Sequence, residues 1–90
     1  MTMLERQVTV INSLGIHARP SAEIVKLAAK FSAQILLSKD DLEVNGKSIM
    51  GVMMLAAECG SIVTIRADGA DAEAAIDALA ALIAGKFGES

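Results

Sequence analysis

The hydrophobic pattern of this chain changes period repeatedly, between two and about 3.6 residues, within a length of 90. Such a chain must build both strands and helices around a common core. From Glu5 to Ile11 the residues alternate, with Val8 and Val10 on one face and Gln7, Thr9 and Ile11 on the other, as in a half-buried strand. From Ala18 to Phe31 the spacing becomes helical, and Ile24, Leu27, Ala28 and Phe31 share a stripe. Pro20 falls in the first turn, where its missing N–H costs nothing. Ala33 to Ser38 alternates again, with Ile35 and Leu37 on one side. Lys39-Asp40-Asp41 turns the chain into a short strand, Leu42 to Val44, and Asn45-Gly46 turns it once more. Ser48 to Ala57 reads as a short helix that begins near Ser48 and is broken by Gly60. Ser61 to Ala67 is a fourth strand, rich in β-branched residues. After a turn at Asp68-Gly69, Asp71 is expected to cap a last helix running to about Gly85, buried along Ala72, Ile76, Leu79 and Ile83.

The order is therefore β-α-β-β-α-β-α. Elements in this order pack as a four-stranded antiparallel sheet with three helices on one face, an open-faced two-layer α+β sandwich. The other face, carrying Gln7, Thr9, Thr64 and Arg66, is expected to meet water. The length suits one domain over residues 1–90. Phe31 and Phe87 are the only aromatics and alanine is abundant, so Ile, Leu, Val and Met must fill the core.

Charge and composition exclude several classes. A net charge of −3 and a pI near 4.9 argue against nucleic-acid binding, which needs a basic face. The longest apolar run, Ala78 to Ala84, is far too short to span a membrane. The N-terminus lacks the basic and apolar regions of a signal peptide, and Met3 is an alternative start. A single cysteine cannot form an internal disulfide, and a cytoplasmic location fits best. With one histidine and one cysteine, no metal site is expected, and no cofactor is called for. Cys59 has no CxxC partner and reads as a buried small hydrophobe.

Two segments break local rules, and such breaks mark candidate sites. The first is Gly15-Ile16-His17-Ala18-Arg19-Pro20. A loop delivers His17 to a helix start, where serine or aspartate would cap better. Arg19 follows in the first turn, where a cation opposes the dipole. The pattern makes sense if an anion sits there, held by the N–H groups of Ala18 and Arg19 and by the Arg19 guanidinium. A neutral imidazole carries the lone pair that can attack phosphorus. An exposed histidine beside a surface arginine is the plainer reading; the Gly-x-His-x-Arg-Pro grouping ranks it second.

The second segment is Asn45 to Met54, with the run Ser48-Ile49-Met50-Gly51-Val52-Met53-Met54. Ser48 is suited to a plain N-cap, and a phosphate there would be favoured by the dipole and by Lys47. Ile49, Met50 and Met53 cannot all point the same way as Val52 and Leu55, so part of this stripe is expected at the surface, where methionines make an adaptable docking area.

These two blocks resemble the histidine-containing phosphocarrier family, HPr, of the bacterial phosphoenolpyruvate-dependent sugar phosphotransferase system. The resemblance spans essentially the whole chain and is most specific at Asn12-Ser13-Leu14-Gly15-Ile16-His17-Ala18-Arg19-Pro20-Ser21. It implies the same β-α-β-β-α-β-α sandwich. It implies that His17 takes a phosphoryl group on Nδ1 from phosphorylated enzyme I and passes it to the enzyme IIA domain of a sugar permease. Arg19 matches the family's active-site arginine, and Ile49, Met50 and Met53 match the apolar patch that docks these partners. Ser48 matches the serine modified by HPr kinase/phosphorylase in many bacteria. Met54 departs from the small polar residue that many such members carry there. Paralogues of the Crh type lack the active histidine, which His17 excludes.

A carrier of this kind is a phosphohistidine intermediate rather than a turnover enzyme, and a monomer presents its face to several partners most simply. The main alternative keeps the chemistry and moves it to the regulatory nitrogen-related branch, as in NPr. A hydrolase using His17 as general base lacks a second acid other than Glu23 and has little room for a pocket. A pure interaction module would leave His17 incidental.

Overall fold

The computed structural model describes residues 3–88. Strands β1 (Leu4–Thr9), β2 (Gln34–Lys39), β3 (Leu42–Asn45) and β4 (Ile62–Asp68) form one antiparallel sheet in the order β1-β4-β2-β3. Helices α1 (Ala18–Ala28), α2 (Ile49–Met54) and α3 (Ala72–Ala84) cover one face, and a 3₁₀ turn spans Lys86–Gly88. This is the open-faced α+β sandwich expected from the pattern.

Alternation places the core. Ile35 and Leu37 on β2 and Val63, Ile65 and Ala67 on β4 point to the helices and are buried. They meet Ile24 and Ala28 of α1, Val52 of α2, and Ala72, Ala75, Ile76, Leu79 and Ile83 of α3. Each fully buried Ile or Leu contributes about 2 kcal/mol of hydrophobic stabilisation. Small residues on α3 let that helix lie close to β1 and β4. On the open face Arg66 bridges Glu5 and Glu43 on either side of it, at 3.4 and 3.1 Å. Among the described residues no helix is long and apolar enough to cross a membrane.

Several expectations need correction. The first strand ends at Thr9 rather than Ile11, although Val10 still bonds to Ser61 beyond the ladder. Helix α1 stops at Ala28 and its last turn tightens, with Phe31 N–H donating to Ala28 at 3.1 Å. Helix α2 stops at Met54, not Ala57, and Gly60 does not break it. Its end is set by Ala56, which is left-handed at φ +48°, so the chain turns away and buries Leu55 and Ala57. Asp71 occupies the N-cap position of α3 but does not cap that helix through its side chain. Its carboxylate instead accepts the N–H groups of Ser32 and Ala33, at 2.9 and 2.8 Å, and ties α3 to the chain entering β2. The bond from Ser32 foremost holds the Asp71 carboxyl below its ordinary range; desolvation opposes it, and the bond from Ala33 adds to it. Cys59 is exposed rather than buried, because the connection from α2 to β4 crosses the surface there.

Candidate functional site

His17 is the N-cap of α1, with extended backbone angles, and its side chain makes no capping hydrogen bond. The first turn closes through the backbone: Ser21 N–H donates to the His17 carbonyl at 2.9 Å. Pro20 has no N–H to leave over. The N–H groups of Ala18 and Arg19 open the helix, with no acceptor inside it. An exposed imidazole thus stands at the positive end of the helix dipole, beside the first-turn N–H groups of Ala18 and Arg19.

The loop that presents His17 is held rigidly. Buried Asn12 donates from Nδ2 to the Gly15 carbonyl at 2.7 Å, and Gly15 N–H donates to the Asn12 carbonyl at 3.1 Å. Gly15 lies at φ +71°, and a Cβ there would stand 2.6 Å from the Ala57 carbonyl oxygen. Only glycine fits both the angle and the space. Ile16 is buried, and its N–H donates to the Ala57 carbonyl at 2.7 Å. The residue before His17 is thereby fastened to the chain leaving α2.

Arg19 is anchored from another direction. Its Nη2 donates to the Phe87 carbonyl at 3.4 Å. Lys86 and Phe87 both take left-handed angles, so the chain after α3 folds back, buries the Phe87 ring and presents that carbonyl. The guanidinium is therefore held at the same end of the molecule as the helix start.

Ser48 is the N-cap of α2, and its Oγ accepts Gly51 N–H at 3.2 Å, as expected of a capping serine. Lys47 does not hover over it. The ammonium donates to the Phe31 carbonyl at 2.6 Å, completing the C-terminal end of the α1 segment. Between Ser48 and Ala57 the expected split of α2 is clear. Val52 is wholly buried, while Met50 is 70% exposed and Ile49, Met53 and Met54 also face outward. Met50 and Met53 are three apart, and Ile49 and Met53 four apart, so they share one face. The chain leaving α2 continues to Ala57, whose carbonyl holds the His17 loop through Ile16 N–H. The structure brings His17, Ala18 and Arg19 together at the start of α1 and places Ser48 on another element, at the start of α2.

Sequence reasoning did not find the parts played by Ala57 and Phe87. Both act through backbone carbonyls, which leave no mark on residue type. The turn residues of Asn12 to Gly15 were legible as a loop, and the close approach to Ala57 was not.

Three comparisons bear on this geometry. The family model described as the PTS HPr component phosphorylation site matches residues 4–85. The chain is 55% identical to the phosphocarrier protein HPr of Cupriavidus necator, over 97% of this chain and 98% of that one. It is 41% identical to the phosphocarrier protein NPr of Shewanella violacea, over 100% of this chain and 99% of the other. The crystal structure of HPr from Thermoanaerobacter tengcongensis superposes with a TM-score of 0.93 at 48% identity, covering 97% of this chain and 98% of that chain.

Proposed function

The chain belongs to the HPr family of phosphotransferase-system phosphocarriers, and on that premise we propose that His17 is the residue that carries the phosphoryl group. The resemblance to HPr exceeds that to NPr, which puts the sugar branch ahead of the nitrogen-related one. The observation that carries the assignment is the placement of His17 as an uncapped N-cap beside the N–H groups of Ala18 and Arg19.

In this reading the Nδ1 lone pair attacks the phosphorus of phosphorylated enzyme I. A bond from nitrogen to phosphorus forms as the bond from phosphorus to enzyme I breaks, and the donor recovers the electron pair. The three phosphoryl oxygens then meet the N–H groups of Ala18 and Arg19 and the helix dipole, with the Arg19 guanidinium close by. The charge on the phosphoryl group is stabilised by backbone donors and the dipole. The reverse attack, by an acceptor on an enzyme IIA domain, unloads the carrier. The relay acts in the cytoplasm.

Ile49, Met50 and Met53 form the docking face for these partners. Ser48 is the regulatory site, modified by an HPr kinase/phosphorylase. Phosphate on Ser48 retains an acceptor for Gly51 N–H, so the cap survives, but places about two negative charges at the edge of the apolar face. Docking to enzyme I then weakens through desolvation and repulsion.

The test is a two-step relay with purified components. Phosphate supplied from phosphoenolpyruvate through enzyme I is expected on this chain, and then on an added enzyme IIA domain. Transfer to the chain but never onward would refute the carrier role.

A further inference from the structure

We infer that Lys39 is a positioning residue for phosphoryl transfer at His17, acting through the left-handed backbone of Ala56; the functional part of this inference rests on the reading of His17 given above. Alanine avoids φ of +48°, and a residue held there needs an outside restraint. Beside the burial of Leu55 and Ala57, a restraint on the Ala56 carbonyl comes from the β2–β3 hairpin. Lys39, the last residue of β2, pairs with Leu42 across a two-residue turn, and its Nζ donates to the Ala56 carbonyl at 3.2 Å. The hairpin end and the chain entering β4 face each other across a groove lined by Lys39, Asp40, Glu58, Gly60, Ser61 and Ile62.

The next carbonyl along, that of Ala57, holds Ile16 N–H at 2.7 Å. The path from Lys39 to His17 is therefore short: ammonium to Ala56 carbonyl, one residue on to the Ala57 carbonyl, across to Ile16, and then His17. If Ala56 relaxes to a negative φ, the following peptide rotates and the Ala57 carbonyl turns away from Ile16. The loop that presents His17 then loses its fastening to α2. The pull of Lys39 and the strain of Ala56 oppose each other, so the effect of one depends on the other.

The test is a double-mutant cycle of Lys39→Met and Ala56→Gly, with Lys39→Arg as the conservative variant. Two readouts are taken: hydrogen exchange at the Ile16 amide, with Ile65 in the core strand as control, and the rate of phosphoryl uptake from phosphorylated enzyme I. Lys39→Met is expected to speed Ile16 exchange about threefold, the scale of one exposed hydrogen bond, and to slow maximal uptake similarly at unchanged KM. Ile65 exchange stays the same, and Lys39→Arg restores both values. In the Ala56→Gly background, glycine adopts the left-handed angle without strain, so there is nothing for Lys39 to oppose, and Lys39→Met then changes neither.

Equal effects of Lys39→Met in both backgrounds would overturn the inference. So would unchanged Ile16 exchange, or an effect confined to KM and abolished by salt, which would make Lys39 a direct contact for enzyme I. A parent chain that shows the exchange coupling but takes up no phosphate would overturn the reading of His17, and the role of Lys39 in transfer with it.

Discussion

The backbone N–H of Ile16 donates to the carbonyl of Ala57 at 2.7 Å, which joins the loop before His17 to the chain leaving α2. The proposed phosphoryl-accepting residue and the proposed docking face are thereby joined through the backbone. A partner seated on Ile49, Met50 and Met53 meets His17 at a fixed offset, which is what repeated transfer to different partners requires.

That joint depends on Gly15. Replacing it with Ala puts a Cβ 2.6 Å from the Ala57 carbonyl oxygen at a φ of +71°. Gly15→Ala is expected to lower stability by about 2 kcal/mol, measured by denaturant unfolding, and to slow phosphoryl uptake beyond what its unfolded fraction explains.

Substitutions separate the cap that Ser48 makes from the regulatory role proposed for it. Ser48→Ala removes the acceptor for Gly51 N–H and is expected to cost about 1 kcal/mol, with uptake at His17 intact. Ser48→Asp keeps an acceptor, so its thermal midpoint stays near that of the parent chain, while its uptake from enzyme I falls. A Ser48→Asp chain as fast as the parent would remove the regulatory reading.

Much of this was legible in the sequence. Ile35 and Leu37, or Val63, Ile65 and Ala67, alternate so regularly that their strands and buried faces could be read directly. His17 and Arg19 stood out because they violate capping and dipole rules. What was not legible depends on contacts distant in sequence. The end of α2 is set by Ala56, whose left-handed angle no alanine announces. Asp71 sits at the expected cap position, yet its carboxylate serves Ser32 and Ala33, a choice made only when α3 packs beside the chain entering β2. Cys59 has the residue type of a core position and lies in a surface connection.

The proposed docking face yields its own prediction. Met53→Glu introduces charge on the exposed side of α2 and leaves buried Val52 and Leu55 untouched. The variant is expected to fold normally by circular dichroism and to raise the KM for phosphorylated enzyme I at least about tenfold, the scale of an interface residue worth 1.4 kcal/mol. An unchanged KM would move the docking surface elsewhere.

Asp71 gives a pH signature. Its carboxyl titrates below the ordinary value of 3.8 because the N–H groups of Ser32 and Ala33 favour the charged form. The folded state thus binds this proton less readily than the unfolded state. The stabilisation is full above the unfolded value and is lost as pH falls through the lower folded one. Between pH 5 and about pH 2 the thermal midpoint of the parent chain should fall more steeply than that of Asp71→Asn. Parallel curves would mean that the two bonds do not favour the carboxylate.

The central claim, that His17 carries the phosphoryl group, is tested most directly by intact mass. The chain and its His17→Ala variant are incubated with enzyme I and phosphoenolpyruvate, weighed, treated with mild acid and weighed again. The account predicts a gain of one phosphoryl group by the parent chain, lost in acid as expected of phosphohistidine, and no gain by the variant. A phosphoryl group that survives acid, or that His17→Ala still acquires, would contradict it.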